Sequence, residues 1–361
     1  IDYAAEAVSA GAVAVIYDMN DKYSRQRLPL LKKQHAIDFI AVTDLQAKIG
    51  EIASRFYNNP GQHFKLIGVT GTDGKTSVTH LLVQALTRLN KKVGSVGTLG
   101  YGVANELKLT QFTTPDAISL QKHLFELALG GCEYVVMEVS SHALEQQRVS
   151  GCRFDIAVLT NLGSDHLDYH GDLVNYREAK SRLFERPELS VRVLNVDDEY
   201  GQSLQASYKG DKVVGYSSST AMDTQAQVRL QSSSMTPQGI KITVKTVKGL
   251  VDIHSGLIGD FNIDNLLACL SVLLQLGFDR QQIESSMQGL QPIPGRMEYF
   301  PSLNQYPAVV IDFAHTEQAL SACLKALKVH SEGKLICVFG CGGDRDQSKR
   351  PKMAAIAEQL A

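Results

Sequence analysis

The residues best suited to chemistry are Gly71-Thr72-Asp73-Gly74-Lys75-Thr76-Ser77. Glycines there let the backbone turn sharply and aim its N–H groups at an anion. Lys75 can reach the outer phosphates of a nucleotide, and the Thr76 hydroxyl can hold Mg²⁺. The usual phosphate-loop pattern has a glycine about five residues before Gly74. This chain has Val69 there, with Gly68 and Gly71 on either side. Such a loop must be positioned by a strand before it and a helix after it. Phe64, Leu66, Ile67 and Val69 form the apolar run of a buried strand; Val78, Leu81, Leu82, Ala85, Leu86 and Leu89 recur at helical spacing, giving one buried face. The helix N-terminus adds partial positive charge at the phosphates. The plain alternative is a glycine-rich turn without a ligand, and Gly74-Lys75-Thr76 between both flanking elements argues against it.

The same alternation continues. Tyr134-Val135-Val136-Met137 ends in Glu138, Ile156 to Leu159 ends in Thr160-Asn161, and Val193-Leu194 ends in Asn195 with Asp197 beyond. Near-continuous apolar runs suit parallel strands covered on both faces, and ligands of such sheets sit beyond the strands' carboxyl ends. Glu138 and the later Asp165-His166 are therefore expected near Lys75. Taken singly, Glu138 reads as an ordinary strand-end carboxylate and His166 as a satisfied loop histidine. Several polar tips on one nucleotide sheet make a site.

The chain has 361 residues, enough for two or three domains, and 44% of them are hydrophobic, as substantial cores require. A net charge of -2 gives no reason to expect nucleic acid or an anionic membrane as partner. The six cysteines include no C-x-x-C pair and sit mostly among apolar residues, which fits a reduced, cytoplasmic protein. Leu266 to Phe278 is too short and too interrupted to span a bilayer and reads as a core helix. The chain opens at Ile1 rather than methionine, which leaves room for a targeting segment upstream.

Three units are expected, all α/β. Residues 1–59 read as part of a small domain, with a helix at Ala4–Ala10, strands at Ala12–Ile16 and Phe39–Val42, and a helix at Leu45–Arg55. Residues 60–299 read as a central nucleotide domain with a mostly parallel sheet, and its segment 211–260 reads as an antiparallel patch. Residues 300–361 begin a second doubly wound unit, with strands at Ala308–Ile311 and Leu335–Phe339 around a helix at Leu320–Leu327, and are expected to continue past Ala361. Thr114-Pro115 suits the N-cap and first position of a helix.

Read in order, the motifs resemble the Mur ligases, the ATP-dependent amide-forming enzymes of peptidoglycan synthesis. They are the loop at 71–76, Met137-Glu138-Val139-Ser140-Ser141-His142-Ala143-Leu144, Thr160-Asn161-Leu162 with Asp165 to Gly171, and Gly259 to Asn265. Further along come Pro294-Gly295-Arg296-Met297-Glu298, Asp312-Phe313-Ala314-His315-Thr316 and Gly342-Gly343-Asp344-Arg345-Asp346. The agreement covers residues 40–361. The Ser140-Ser141-His142 block and the Gly342–Pro351 run are most similar to the branch that adds the third peptide residue to UDP-N-acetylmuramoyl-L-alanyl-D-glutamate. The run from Gly343 to Pro351 is more like enzymes using meso-diaminopimelate than those using lysine.

The resemblance implies a multi-domain architecture with a central P-loop ATPase domain and a Rossmann-like C-terminal domain. It implies ATP and Mg²⁺ as cofactors, an acyl-phosphate route and small-molecule substrates, without nucleic acid or membrane insertion; a monomer is expected. By resemblance, Lys75 neutralises the γ-phosphate with Gly71, Thr72, Asp73, Gly74, Thr76 and Ser77 around it. Thr76, Glu138, His166 and Lys180 bind metal, the last as a carbamate. On residue type alone, Lys180 reads instead as a lysine on a solvated helix face. Asn262 and Asn265 would read adenine, Arg296 and Asp312 phosphate and ribose, and Arg345 the incoming amino acid. Thr113, Thr114, Ser140, Gln146 and Arg148 match positions that contact the muramoyl-dipeptide. Asp73 stands where asparagine is commoner, and Phe313 where tyrosine is usual. Rival readings are another ligase of this type such as a folylpolyglutamate synthetase, a phosphotransferase or ATPase using the same loop, and a non-catalytic nucleotide-binding fragment.

Overall fold

A computed structural model of the chain describes residues 1–361 apart from 105, 164, 209–211, 222–224, 237–238, 301, 303–305, 315, 332 and 342–348. Arg345, His315 and the motif at 342–346 thus lie outside the described residues. At the start, helices α1 (Ala4–Ser9), α2 (Lys22–Gln34) and α3 (Leu45–Phe56) accompany two parallel strands, β1 (Ala14–Asp18) and β2 (Asp38–Val42). The chain then enters a large sheet with β3 (Lys65–Thr70) and passes through residues 71–74 into α4 (Lys75–Arg88). Strands β4 (Val93–Gly97), β5 (Gly100–Val103) and β6 (Glu106–Lys108) form one antiparallel edge. Next come α5 (Ala117–Leu129), β7 (Tyr134–Glu138), α6 (Ser141–Glu145), β8 (Ile156–Leu159), α7 (Leu167–His170), α8 (Leu173–Phe184), β9 (Val191–Asn195), α9 (Glu199–Ser207) and β10 (Val213–Ser217). The other edge is the meander β11 (Val228–Thr236), β12 (Gly239–Thr246) and β13 (Gly249–Ser255), followed by α10 (Phe261–Gln275) and α11 (Arg280–Met287). Last are the antiparallel pair β14 (Glu298–Phe300) and β15 (Val309–Ile311), then α12 (Glu317–His330) and α13 (Lys349–Leu360).

Among the described residues the large sheet has eleven strands, in the order β13-β12-β11-β10-β9-β8-β3-β7-β4-β5-β6. From β11 to β4 neighbours run parallel, and the expected antiparallel patch sits at the edge. Alternate side chains of each central strand feed two cores. Ile67, Val69, Val136 and Val158 pack under α4 and α10, while Leu66, Val135, Met137 and Leu159 pack under α5, α8 and α9. Covering both faces explains why these strands read as unbroken apolar runs. The register sets Val69 of β3 beside Glu138 of β7 on one side and Val158 of β8 on the other. The loop after β3 therefore emerges between the polar tips of its two neighbours.

Two expectations need correction. Residues 334–340 join no ladder, although Leu335–Phe339 has the pattern of a strand. An apolar run shows a need for cover, not a pairing partner; β15 is short and already paired with β14, and Val338 is 94% exposed. The helix after Pro115 is capped by Asp116 rather than Thr114. The Asp116 carboxylate accepts from Ile118 N and Ser119 N, both at 3.0 Å, and the Thr114 hydroxyl is engaged elsewhere.

Helix α3 is held against the main sheet unit through glycine. A Cβ on Gly151 would overlap the Gly50 carbonyl, and one on Gly50 would overlap Ser150 and the Gly151 backbone. Because the obstruction at Gly151 is backbone, it cannot swing aside. Gly151→Ala is expected to lower stability by about 1–3 kcal/mol, read as a lower urea midpoint, and an unchanged midpoint would show that the contact is dispensable.

Candidate active site

The turn at 71–74 depends on two glycines with positive φ, Gly71 at 150° and Gly74 at 82°. A Cβ on Gly71 would overlap the Thr160 hydroxyl, and one on Gly74 would come within 2.7 Å of Asn265 Oδ1. Thr160, just past β8, clamps the loop by donating to Asp73 O at 2.6 Å and Thr70 O at 3.3 Å. Asn161 accepts from Thr72 N at 3.0 Å through its carbonyl and from Asp73 N at 2.9 Å through its side chain. Thr72 Oγ1 accepts from Gly163 N at 2.8 Å and lies 3.1 Å from Tyr176 OH. Asp73 is exposed. Thr160, Asn161 and Tyr176 had no assigned role; the clamp is signalled only by their place past β8 and on α8.

Glu138 is 1% exposed. Its Oε2 accepts from Thr76 Oγ1 at 2.8 Å and Thr98 Oγ1 at 3.1 Å, and its Oε1 accepts from Thr98 N at 2.8 Å. A buried carboxylate needs such donors, since each lone pair removed from water is otherwise lost. Gly97 leaves the space: a Cβ there would overlap Oε1. Gly97 and Thr98 were not singled out as site residues, because a backbone donor leaves no mark on residue type.

Lys75 and Lys180 share one acceptor. Lys75 Nζ donates to Gly71 O at 2.9 Å and Thr72 O at 2.7 Å, and Lys180 Nζ donates to Gly71 O at 2.8 Å. Lys180 is 1% exposed, with its ammonium 4.6 Å from the Tyr176 ring, so it does not lie on a solvated face. Its helical spacing from Tyr176 and Leu183, both buried, carries that signal. Burial holds the Lys180 ammonium well below the usual lysine range, and repulsion from Lys75 adds to it, against Asp165 and Asp73. Burial also lowers Lys75, opposed by Glu138, Asp73 and Asp165.

His166 lies elsewhere in the cleft. It has a φ of 54°, its Nε2 is 3.3 Å from Asp165 Oδ2, and its ring meets His142 edge-on at 4.8 Å. Thus Thr76 and Glu138 are in direct contact, Lys75 and Lys180 meet at Gly71, and His166 belongs to an adjoining cluster with His142 and Tyr169. No three His, Cys, Asp or Glu side chains form a ready metal cluster among the described residues. The donors that do meet, a hydroxyl and a carboxylate, are the hard oxygen ligands that Mg²⁺ prefers.

The other candidates surround this centre. Thr113 Oγ1 is 3.1 Å from Thr98 Oγ1. Thr114 Oγ1 donates to Glu138 O at 2.9 Å and accepts from Ser140 N at 3.1 Å, and Ser140 caps α6 by accepting from Ala143 N at 3.2 Å. Arg148 donates to Thr114 O at 3.0 Å and to Gln146 Oε1, whose amide donates to Tyr169 OH at 2.9 Å. Asn265 donates to Asn262 Oδ1 at 2.9 Å, both buried at the start of α10. The Arg296 guanidinium lies 5.1 Å from the Phe313 ring and its charge acts on Lys75. Asp312 accepts from Met297 N and Ala314 N, each at 2.8 Å. Ser77 follows in the first turn of α4.

Two family models match the chain, Mur ligase middle domain over residues 69–273 and Mur ligase, glutamate ligase domain over 295–361. The chain is 45% identical to the UDP-N-acetylmuramoyl-L-alanyl-D-glutamate--2,6-diaminopimelate ligase of Coxiella burnetii, with 100% of this chain and 72% of that protein covered. It is 42% identical to the ligase of the same name from Pseudomonas putida, at the same coverage. A solved structure of a ligase of that name superposes with a TM-score of 0.79 at 32% identity, covering 96% of this chain and 74% of that one. Folylpolyglutamate synthase from Mycobacterium tuberculosis, at 18% identity and a TM-score of 0.64 over 85% of this chain and 74% of that one, shares the fold.

Asp264, between the two asparagines on α10, has a buried oxygen, Oδ1, without a hydrogen-bond partner among the described residues. Burial pushes its carboxyl up to about 6, with Ser218 opposing and Asp197 and Asp260 adding. A raised carboxyl stabilises the fold while protonated: the contribution is complete below the unfolded value of 3.8 and is lost as pH rises through about 6. Asp264→Asn is expected to gain on the order of 1–3 kcal/mol over the parent near pH 7.5, with a flatter stability profile between pH 4 and 6. Urea unfolding across that range measures it, and parallel profiles would contradict it.

Proposed function

The chain belongs to the Mur ligase family of ATP-dependent amide ligases, and from that premise we propose that it joins 2,6-diaminopimelate to UDP-N-acetylmuramoyl-L-alanyl-D-glutamate in peptidoglycan synthesis. The observation that carries this reading is the Thr76–Glu138 contact at 2.8 Å beside two lysines on one loop carbonyl, in a chain 45% identical along its whole length to a ligase of that name. An oxygen of the substrate carboxylate attacks the γ-phosphorus of ATP, the bond to ADP breaks, and an acyl phosphate forms. The amine nitrogen then attacks the acyl carbon, loses a proton and expels phosphate.

Each residue has a place in that scheme. Backbone N–H groups from Gly71 to Ser77 and the Lys75 ammonium take the phosphates. Thr76 and Glu138 would hold Mg²⁺, with His166 and a carbamylated Lys180 as the further expected ligands, and the metal would supply positive charge to the phosphoryl group in transfer. Arg148 suits the substrate carboxylates, with Thr113, Thr114, Ser140 and Gln146 shaping the dipeptide site. Asn262 and Asn265 would read adenine, Arg296 and Asp312 would address phosphate and ribose, and Arg345 would bind the incoming amino acid. Residues 1–59, 60–299 and 300–361 are assigned as uridine-side, ATP-binding and amino-acid-binding units. The protein works as a cytoplasmic monomer.

Lys180 is suited to a covalent change. Burial and Lys75 favour its neutral amine, which can attack CO₂ to give a carbamate and release a proton. The product is an anion where an ammonium repelled Lys75, so repulsion becomes attraction and an oxygen ligand is gained.

Phosphate release by the full chain with the nucleotide dipeptide, ATP, Mg²⁺ and a panel of amines tests the reaction. Release should require both the dipeptide and 2,6-diaminopimelate. Amine-independent release, or an accumulating phosphorylated product, would favour a phosphotransferase. Lys180→Ala should lose about a hundredfold or more in kcat, and bicarbonate should not restore it; full activity in that variant would remove Lys180 from the site.

A further inference from the structure

Of the four expected metal ligands, His166 stands on the weakest element. It is the N-cap of α7, a helix of four residues, and its own φ of 54° is left-handed. Its side chain is half exposed and meets Asp165 at 3.3 Å and the His142 ring at 4.8 Å. A single turn has little stability of its own, because nucleation fixes several dihedrals for each hydrogen bond gained. Something outside α7 must therefore hold it.

The far end of that turn is His170. Its N–H donates to His166 O at 3.0 Å, and its carbonyl accepts from Asn175 Nδ2 of α8 at 3.0 Å. The His170 side chain is 1% exposed, against 50% for that of His166. Its Nε2 lies 3.0 Å from Ser141 Oγ and its Nδ1 lies 3.0 Å from Glu145 Oε2, both residues of α6. The Nδ1 approach is bent, so it acts as a charge contact rather than a straight hydrogen bond. Burial pushes the ring below the usual histidine range, against Glu145, and favours a single N–H. That hydrogen belongs on Nδ1, where a bare lone pair would face the carboxylate, and Nε2 is left to accept from the Ser141 hydroxyl. The rings of His142, Tyr169 and Tyr176 enclose the imidazole, with centroids 5.4, 4.9 and 5.3 Å away.

None of the roles assigned above uses His170, yet its partners sit on a telling element. Helix α6 follows β7 directly, and β7 ends in Glu138. A tie to Ser141 thus refers the turn carrying His166 to the strand carrying Glu138. We propose that His170 is a positioning residue for His166: by fastening the last residue of α7 to Ser141 and Glu145, it fixes where His166 stands relative to Glu138. The inference rests on the ligase reaction proposed above, in which His166 is an expected Mg²⁺ ligand.

Amide hydrogen exchange and phosphate release, both on the full chain, test it together. His170→Phe keeps the bulk of the ring and removes both nitrogens. Without nucleotide or metal, exchange over residues 166–171 should quicken about tenfold in that variant, while β3 and β7 keep the parent's rates. With substrates and Mg²⁺ present, kcat should fall about tenfold or more and the Mg²⁺ concentration for half activity should rise, with KM for ATP within about twofold of the parent's. His170→Gln, whose amide oxygen can still accept from Ser141, should recover most of kcat. Ser141→Ala should act in the same direction, and adding it to His170→Phe should cost little more. A histidine that only filled the core would yield to phenylalanine with exchange at 166–171 and the Mg²⁺ dependence unchanged, and either result overturns the proposal. Should His170→Phe fail to fold, parent-like exchange and kcat in Ser141→Ala overturn it instead. A parent that releases no phosphate with the amine removes the ligase reading and this role with it; an active parent with unaltered variants removes this role alone.

Discussion

A carboxylate taken out of water beside a phosphate loop is tolerated only if donors surround it, and Glu138 is the point on which the structure turns. Its two oxygens accept three hydrogen bonds, from Thr76 and from the backbone and hydroxyl of Thr98. Those donors reach it because β3 lies between β7 and β8, so that the loop after Val69 rises beside the last residue of β7. Gly97, on the next strand over, has no side chain to obstruct it. Strand order, a glycine and a helix start thus converge on one side chain, and losing any one donor would leave a buried lone pair unmet.

The second organising feature is electrostatic. Two lysine side chains end on the carbonyl of Gly71, and both are disfavoured as cations by burial. Such an arrangement stores a demand for negative charge, which phosphate on one side and a carbamate on the other would satisfy. The nearby carboxylates of Asp73 and Asp165 moderate the repulsion without removing it. A preorganised site of this kind needs little rearrangement when its anion arrives.

Much of this was legible in residue order. The loop at 71–77 stands out because a two-faced apolar strand and a one-faced apolar helix enclose it, and Glu138 because it ends the next such strand. Lys180 was less legible: residue type favours solvent, and only its spacing from Tyr176 and Leu183 places it inside. Thr98 escaped notice because it acts through a backbone N–H as well as its hydroxyl. Thr114 was misread as a cap because Thr-Pro is a helix-start signal in itself, whereas Asp116 offers a stronger acceptor two residues on. At 334–340 the apolar pattern was real but the ladder was not, since pairing depends on a partner that local sequence does not contain.

The central claim is that the Glu138 charge, and not merely its hydrogen bonding, drives the reaction. Glu138→Gln keeps the size; with its amide oxygen accepting from Thr98 N, its NH2 can donate to the Thr76 and Thr98 hydroxyls, so the full-chain variant should fold and bind ATP with an affinity close to the parent's. Its kcat for amine-dependent phosphate release, at saturating substrates and Mg²⁺, should fall by about a hundredfold or more. Turnover within a few-fold of the parent would contradict the account.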